Sequence, residues 1–255
     1  MWEHQSVKFG IMIANTGPYA DPEVAATLAT AAEEVGIDSL WTADHVVIAD
    51  GYQSAYPYSE DGRLPAGEDW DLPDPIVWLS YVAALTATIK LATGVVILPQ
   101  RNPVVLAKQC ATLAKLSNDR FELGVGVGWL AEEFSIVGAP WPRRGARTDE
   151  HIEAMRALWA QDRASYAGEF VNFDGAICRP QPAGGTIPIV IGGHSKAAAT
   201  RAGRLGDGFF PGGTPSTSDL SDILAVMRDA AVLAGRDPES IEVSSPSWSP
   251  RRGNP

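Results

Sequence analysis

The sequence predicts a (β/α)8 barrel, and three observations support this fold class. Short apolar runs alternate with helical patterns along almost all of the 255 residues. The strand-like runs are continuously apolar, which is typical of parallel strands buried on both faces. Seven such runs separated by helices favour a barrel over a doubly wound sheet. With 45% hydrophobic residues, the chain can bury a core of that size as one domain.

The first half of the chain predicts four strands and three helices. The strands cover residues 7–13, 37–43, 89–98 and 121–127, and the helices cover 22–35, 75–87 and 104–116. Asp21 before Pro22 is a typical helix start, because an Asp side chain caps free N–H groups and proline has none. Asn102 before Pro103 repeats this pattern.

The second half predicts the same alternation with two long interruptions. The helices cover residues 148–160, 196–205 and 220–234, and the strands cover 187–191, 208–210 and 241–244, with Thr148 as an N-cap. Residues 46–74 contain Tyr52, Tyr56, Tyr58 and Trp70, so this long connection predicts an ordered lid. Residues 163–182 predict a hairpin.

The last residues depart from the barrel pattern. After residue 244 the chain reads SPSWSPRRGNP, and its prolines continue neither a helix nor a central strand. An eight-stranded barrel needs one more helix, strand and helix. We therefore expect residues 1–255 to form a single barrel domain that lacks its last helix, strand and helix.

Composition restricts the classes of partner. The net charge is −11 and the sequence pI is about 4.8, which disfavours nucleic acid and anionic membrane surfaces. Cys110 and Cys178 are far apart and suit a reducing cytoplasm. Residues 1–6 resemble no signal peptide, and no apolar run approaches the ~20 residues of a membrane helix. We expect a cytoplasmic protein that acts on a small molecule.

An acid and an imidazole follow the second predicted strand. Asp44 and His45 stand where the apolar run 37–43 ends. At the carboxyl end of a parallel strand, such residues face a ligand crevice. The alternative is a histidine that caps the strand end with a structural carboxylate partner. These residues alone leave both interpretations open.

Glycines mark two further strand ends. Gly94 lies inside an apolar strand, which indicates either close approach of a ligand or simple packing. Gly124, Gly126 and Gly128 alternate along one face, and we expect that face to be bare enough for a flat ring or a phosphate. Because they lie within the strand, they are no Rossmann fingerprint.

The strand ending at residue 191 leads into an anion-binding pattern. Gly192, Gly193 and Ser195 precede a helix, where free N–H groups, the helix dipole and a hydroxyl attract negative charge. An ordinary strand–helix turn with a serine cap is the alternative.

Other catalytic chemistries have little support. Lys8 and Lys90 stand at strand beginnings, which argues against a Schiff base, and the four histidines show no zinc-binding spacing. We expect no metal. The remaining features favour redox chemistry taken from a phosphorylated ring cofactor.

Five segments together resemble the luciferase-like monooxygenase superfamily. They are residues 38–45 (DSLWTADH), 91–99 (LATGVVILP), 120–129 (RFELGVGVGW), 188–195 (PIVIGGHS) and 206–211 (GDGFFP). Within the superfamily, the chain is most similar to the actinobacterial group of probable coenzyme F420-dependent (deazaflavin) oxidoreductases. The similarity spans roughly residues 7–244.

This resemblance implies a luciferase-like barrel and a role for each motif. His45 would lie beside the reactive carbon of the deazaflavin, oriented by Asp44, and act as acid or base while hydride moves between F420 and a small organic substrate. Gly94, Val95 and Val96 match a non-prolyl cis peptide behind the cofactor ring.

The resemblance also implies the remaining cofactor contacts and a homodimer. Three residues at the end of the fourth strand would line the cofactor, and four residues before the helix at 196–205 would form its phosphate-binding turn. They are Gly126, Gly128 and Trp129, and Gly192, Gly193, His194 and Ser195.

The sequence departs from the pattern of the family at two positions that bear on the identity of the cofactor. Some relatives place a proton-donating Glu where this chain has Trp129, and some FMN-using relatives place an Arg where Val127 stands. The second departure favours F420 over FMN. The alternatives are an FMN-dependent luciferase-like monooxygenase and a catalytically impaired relative that only binds the cofactor.

Overall fold

The computed structural model describes residues 7–65, 67–213 and 216–245. The chain divides into two compact units, Met1–Pro188 and Ile189–Pro255, and each is described by itself. The proline-rich segment that follows the last predicted strand lies outside the described residues from position 246 on. The single-domain organisation stays a prediction.

The first unit alternates strands and helices. Its strands are β1 (Gly10–Ile11), β2 (Ser39–Thr42), β3 (Lys90–Thr93), β4 (Val96–Ile97), β5 (Phe121–Gly126), β6 (Ala164–Ala167) and β7 (Asn172–Ala176). Its α-helices are α1 (Pro22–Glu34), α2 (Pro75–Ala83), α3 (Pro103–Leu116), α4 (Ala131–Ile136) and α5 (Arg144–Ala160).

The main sheet of this unit is parallel and follows the chain order. β1 pairs with β2, β2 with β3, and both β3 and β4 pair with β5. Leu40 is in register with Leu91, and Leu91 with Phe121, and all three are buried in the core. Sequential neighbours without a reversal of strand order are the pattern of a barrel rather than of a doubly wound sheet.

The predicted helix starts are confirmed at α1 and α3. Asp21 accepts hydrogen bonds from the N–H groups of Glu23 and Val24, and Asn102 accepts them from those of Val104 and Val105. A proline follows each cap. These caps satisfy N–H groups that a helix leaves without an internal partner.

Several predicted bounds differ: the strand expected over 7–13 covers only Gly10–Ile11, the helix expected over 75–87 ends at Ala83, and the helix expected over 220–234 begins at Thr217. Two further differences concern the third strand and the helix after the fourth. The strand expected over 89–98 is interrupted between β3 and β4, where the Gly94–Val95 peptide bond is cis, as the resemblance implies. The helix expected to start at Thr148 begins at Arg144 instead. Thr148 is no N-cap, because its hydroxyl donates to the carbonyl of Arg144 one turn earlier.

The predicted hairpin is present. β6 and β7 pair antiparallel, and the carboxylate of Glu150 on α5 accepts hydrogen bonds from the N–H groups of Glu169 and Phe170 in the connecting turn. The Glu150 side chain therefore holds the turn that connects β6 and β7.

The second unit is a smaller parallel sheet covered by two packed helices. It contains β8 (Ile189–Gly192), α6 (Lys196–Leu205), β9 (Gly208–Phe210), α7 (Thr217–Leu233) and β10 (Glu242–Val243). β9 lies between β8 and β10 and is parallel to both. A Cβ at Gly203 would lie 2.3 Å from the carbonyl of Met227, so glycine there permits α6 and α7 to pack closely.

Within the described part of the chain, none of the helices is both long and apolar enough to cross a membrane.

Candidate active site

The two side chains predicted to be catalytic, Asp44 and His45, lie with three others at the carboxyl ends of strands in the first unit. Asp44 and His45 follow β2, Arg101 follows β4, and Trp129 and Glu133 follow β5. Consecutive residues of an extended segment direct their side chains to opposite sides. Asp44 and His45 accordingly have different partners.

Asp44 connects two strand ends through a buried ion pair. Its carboxylate accepts hydrogen bonds from Nη2 of Arg101 at 2.7 Å and from the N–H of Ile97 at 2.9 Å. Arg101 also donates to Asp74 at 3.0 Å, just before α2. Burial raises the pKa of the Asp44 carboxyl, and the guanidinium of Arg101 opposes that shift.

His45 is held by a different carboxylate. Its Nδ1 lies 2.8 Å from Oε2 of Glu133, and Oε1 of the same carboxylate accepts from the N–H of Val46 at 2.6 Å. The expectation that Asp44 orients His45 is therefore wrong. Both Asp44 oxygens are occupied by Arg101 and Ile97, and Glu133 takes the place beside the imidazole.

An aromatic cluster lies against this imidazole. The ring of Trp129 is edge-on to His45 at 5.6 Å between centroids, to Tyr52 at 5.4 Å and to Tyr56 at 5.2 Å. Tyr58 continues the cluster at 5.4 Å from Tyr56. Burial raises the pKa of Tyr58 to about 12, so its phenol stays protonated at neutral pH. The cluster is an uncharged, mostly apolar wall.

The long connection that carries these tyrosines is anchored at several points. Glu132 accepts from the N–H of Gln53 at 2.7 Å and from the hydroxyl of Ser54 at 2.6 Å. The side chain of Asn15, which is fully buried, donates to the carbonyls of Ala43 and Pro73 and accepts from the N–H of Ala43. The segment is thus tied down at both ends and in the middle. Its role as a lid stays a prediction.

The expectation of a bare glycine face along and just after β5 is wrong. A Cβ at Gly124 would lie 1.8 Å from the carbonyl oxygen of Thr93, and one at Gly126 would lie 2.6 Å from Val95. Gly128 has a φ of +78°, and a Cβ there would contact Phe134 at 2.7 Å. Protein atoms fill this face, because the interrupted strand β3–β4 and helix α4 pack directly against the glycines.

Gly94 also has a packing neighbour. A Cβ there would lie 3.3 Å from the ring of Trp41, which is closer than an ordinary contact. This supports the packing interpretation of Gly94, and its contact with a ligand stays a prediction.

In the second unit, Gly192 and Gly193 lead into α6, and Ser195 caps it as predicted. The hydroxyl oxygen of Ser195 accepts from the N–H of Ala198 at 3.2 Å, so its own proton can be donated elsewhere. Gly193 has a φ of +130°, and its N–H donates to the carbonyl of Phe210. His194 is exposed. Anion binding by this turn stays a prediction.

The described residues include no group of three or more His, Cys, Asp or Glu side chains arranged to hold a metal ion.

Comparison with known proteins decides the family. The model of the luciferase-like monooxygenase family matches residues 7–247. The chain belongs to this family. Members of it are enzymes, so the predicted family and enzyme class are confirmed.

Individual relatives agree with this assignment. The chain is 35% identical to the uncharacterized protein Rv0953c of Mycobacterium tuberculosis over 234 residues, which is 90% of this chain and 80% of that protein. It is 33% identical to an F420-dependent glucose-6-phosphate dehydrogenase of Mycolicibacterium gilvum over 227 residues, which is 87% of this chain and 62% of that enzyme.

A solved structure agrees as well. The monooxygenase RslO1 from Streptomyces bottropensis superposes with a TM-score of 0.73 at 30% identity, covering 93% of this chain and 70% of that chain. The predicted luciferase-like fold of the (β/α)8 type is thereby confirmed.

Three site residues were not predicted from the sequence: Asn15, Arg101 and Glu133. A signal for Glu133 was present, because Leu130, Glu133 and Phe134 have the spacing of one helix face and the two apolar members are fully buried. For Asn15 and Arg101 the sequence carries no comparable pattern.

Proposed function

We propose that this protein is an oxidoreductase that transfers hydride between coenzyme F420 and a small organic substrate. The observation that carries the proposal is the His45 imidazole at a strand's carboxyl end. One of its nitrogens, Nδ1, is bound to Glu133, and none of the described residues forms a hydrogen bond with Nε2. The F420-dependent relative supports the choice of cofactor.

The residues around His45 fit a flat ring cofactor. Gly94, Val95 and Trp129 keep partial exposure beside a largely apolar wall, whereas Val96 is buried beneath them. Gly126 and Gly128 contribute indirectly, by admitting the side chains of Val95 and Phe134.

In the second unit, the turn before α6 fits a phosphate. The hydroxyl of Ser195 and the free N–H groups at the start of α6 supply donors, and Gly192, Gly193 and His194 bring the backbone close to an anion. In a chain of net charge −11, such local donors are the means of holding a negatively charged cofactor.

When bound, F420 supplies or accepts the hydride. His45 removes the proton from the substrate hydroxyl as hydride leaves the carbon, and returns it in the reverse direction. The substrate O–H and C–H bonds break, a C=O bond forms, and the proton stays on Nε2 of His45. Trp129, Tyr52 and Tyr56 exclude water from this step.

Binding of the two cofactors tests the proposal directly. The full chain is titrated with F420 and with FMN while absorbance is recorded. Saturable binding of F420 supports the proposal, whereas the absence of such binding overturns it. Saturable binding of FMN alone supports the second candidate, the FMN-dependent monooxygenase; the likeness to the monooxygenase RslO1 supports the monooxygenase activity in this candidate.

Substitution His45→Ala tests the proposed proton transfer. Loss of a general base lowers turnover by about 10²- to 10⁴-fold, and we expect the F420 dissociation constant to change less than about threefold. Candidate substrates are glucose 6-phosphate, after the relative's name, and uncharged alcohols. A collapse of affinity with normal turnover of the bound fraction contradicts the role of His45. Normal F420 affinity without turnover in the unaltered chain supports an impaired relative.

We further propose that the protein is a cytoplasmic homodimer. Support comes from the cysteine usage and from an apolar stripe on α2 and just after it. Val77, Tyr81 and Leu85 recur every fourth residue and are 68%, 42% and 40% exposed. Sedimentation of the full chain distinguishes a dimer from a monomer.

A further inference from the structure

Glu133 has a fully buried carboxylate, and each of its oxygens lies within hydrogen-bond distance of a nitrogen atom. Oε2 lies 2.8 Å from Nδ1 of His45, and Oε1 accepts from the N–H of Val46 at 2.6 Å. The side chain of Glu133 has no exposed surface, and that of His45 is 11% exposed. A buried carboxylate needs donors on both oxygens, since unpaired charge is costly in the interior.

This geometry selects one tautomer of the neutral imidazole. If Nδ1 carried a lone pair, it would face a carboxylate lone pair at 2.8 Å. With the proton on Nδ1, the same distance is a charge-assisted hydrogen bond. Nε2 then carries the lone pair and is the nitrogen left to accept a proton from another molecule.

We infer that Glu133 is a positioning residue that holds His45 in the Nδ1–H tautomer, with Nε2 as the proton acceptor for the substrate hydroxyl. The role of Nε2 in turnover rests on the proposed function. The tautomer does not, because it follows from contacts within the chain. Glu133 acts through His45.

The neighbouring Glu132 provides a matched control. It belongs to the same short helix and also binds the connection that follows β2, at Gln53 and Ser54. No contact joins it to the imidazole. A change at Glu132 therefore loosens the same connection and leaves the proton position on His45 unaltered.

The tautomer is read by ¹⁵N NMR of the full chain without cofactor, at a pH above the usual range of imidazole titration. The chain has four histidines, and the signal lost in His45→Gln identifies His45. We expect the Nδ1–H pattern in the unaltered chain and in Glu132→Gln. In Glu133→Gln the amide N–H₂ can turn toward Nδ1, and we expect the Nε2–H pattern to become substantial.

Two results overturn the inference. One is an Nε2–H pattern in the unaltered chain, which would mean that a protonated Glu133 donates to Nδ1. The other is an equal change of tautomer in Glu132→Gln and Glu133→Gln. If Glu133→Gln does not fold, the spectrum of the unaltered chain still decides, and Glu133→Asp is expected to retain the Nδ1–H pattern.

The turnover number of the F420-bound enzyme gives a second test of the role of Glu133. A histidine in the wrong tautomer lowers kcat by on the order of 10²- to 10⁴-fold. We expect this loss in Glu133→Gln, with KM and F420 affinity within about threefold of the unaltered enzyme. If F420 does not bind but the Glu133-dependent tautomer is present, the proposed function fails and the tautomer assignment stands. If the enzyme turns over with F420 and the tautomer is insensitive to Glu133, the tautomer assignment fails and the proposed function stands.

Discussion

The two edges of the parallel sheet in the first unit use charged side chains differently. At the amino edge, the carboxylate of Glu33 accepts from the N–H groups of Ala87, Thr88 and Ile89, where the chain enters β3. At the carboxyl edge, Glu133 accepts from the N–H groups of Val46 and Val47 and lies within hydrogen-bond distance of Nδ1 of His45. Glu33 binds three backbone N–H groups and the hydroxyl of Thr88, whereas Glu133 also holds a titratable ring.

The arginines repeat this contrast. Arg120, just before β5, donates to the carbonyls of Ala83, Thr86, Ile89 and Ser117. Arg101 at the opposite edge pairs with carboxylates, one of them buried. At the amino edge, the charged side chains bind groups of the connecting segments and stabilise the fold. At the carboxyl edge, the charged groups pair with one another or with the His45 imidazole, and this is the edge where barrel enzymes keep their sites.

The largest expected effect on stability is at the carboxyl edge. Arg101→Met leaves the Asp44 carboxylate buried with only the N–H of Ile97, and breaking one side of a buried pair costs about 3–5 kcal/mol. Urea unfolding measures the loss. Arg143→Met is the control, because its pair with Glu169 is more than half exposed and screened by solvent, so we expect a much smaller loss. Similar losses in both variants would remove the distinction between buried and exposed pairs.

A second effect concerns acid stability at the same edge. Burial, aided by Arg147, lowers the pKa of His151 to about 4, although its hydrogen bond to Leu98 opposes this. The unfolded chain binds this proton at about pH 6.5, so stability falls as pH drops from about 6.5 to about 4. The contribution is about 2–3 kcal/mol at most. His151→Gln should reduce this slope in urea titrations at several pH values, and an unchanged slope contradicts the assignment.

The smallest effect is at the amino edge. Although burial raises the pKa of Glu33, the N–H groups of Thr88, Ile89 and Ala87 lower it to about 2 overall. The stabilisation is present above about pH 4.5 and is lost as pH falls toward 2. Because solvent screens this group, Glu33→Gln should cost only about 1 kcal/mol near neutral pH. The difference between the two chains should vanish in acid, and a constant difference down to about pH 2 would falsify the charge-based explanation.

Local sequence patterns predicted much of the fold. Helix caps at Asp21, Asn102 and Ser195 were predicted because capping depends on a residue and its next three neighbours. The continuous apolar runs predicted parallel strands for the same reason. Thr148 was misplaced as a cap because a threonine inside a helix can bond to the preceding turn instead.

The site was predicted only in part. His45 and Asp44 stand out at a strand end, but their partners lie far along the chain. Glu133 is 88 residues from His45, and Arg101 is 57 residues from Asp44. The face of Gly124 and Gly126 on β5 was predicted to be open, and only the fold reveals that Thr93 and Val95 fill it. Long-range partners of this kind depend on topology, which a local pattern does not contain.

Asn15 has a consequence for how the protein can diversify. Its buried side-chain amide forms hydrogen bonds with Ala43, before the long connection, and with Pro73 at the far end of that connection. The two ends of that connection are thus held by a side chain from outside it. Residues between them can be replaced, inserted or deleted at small entropic cost while the entry and exit stay fixed. That stretch can therefore vary in sequence and length while Ala43, which directly precedes Asp44 and His45, stays anchored.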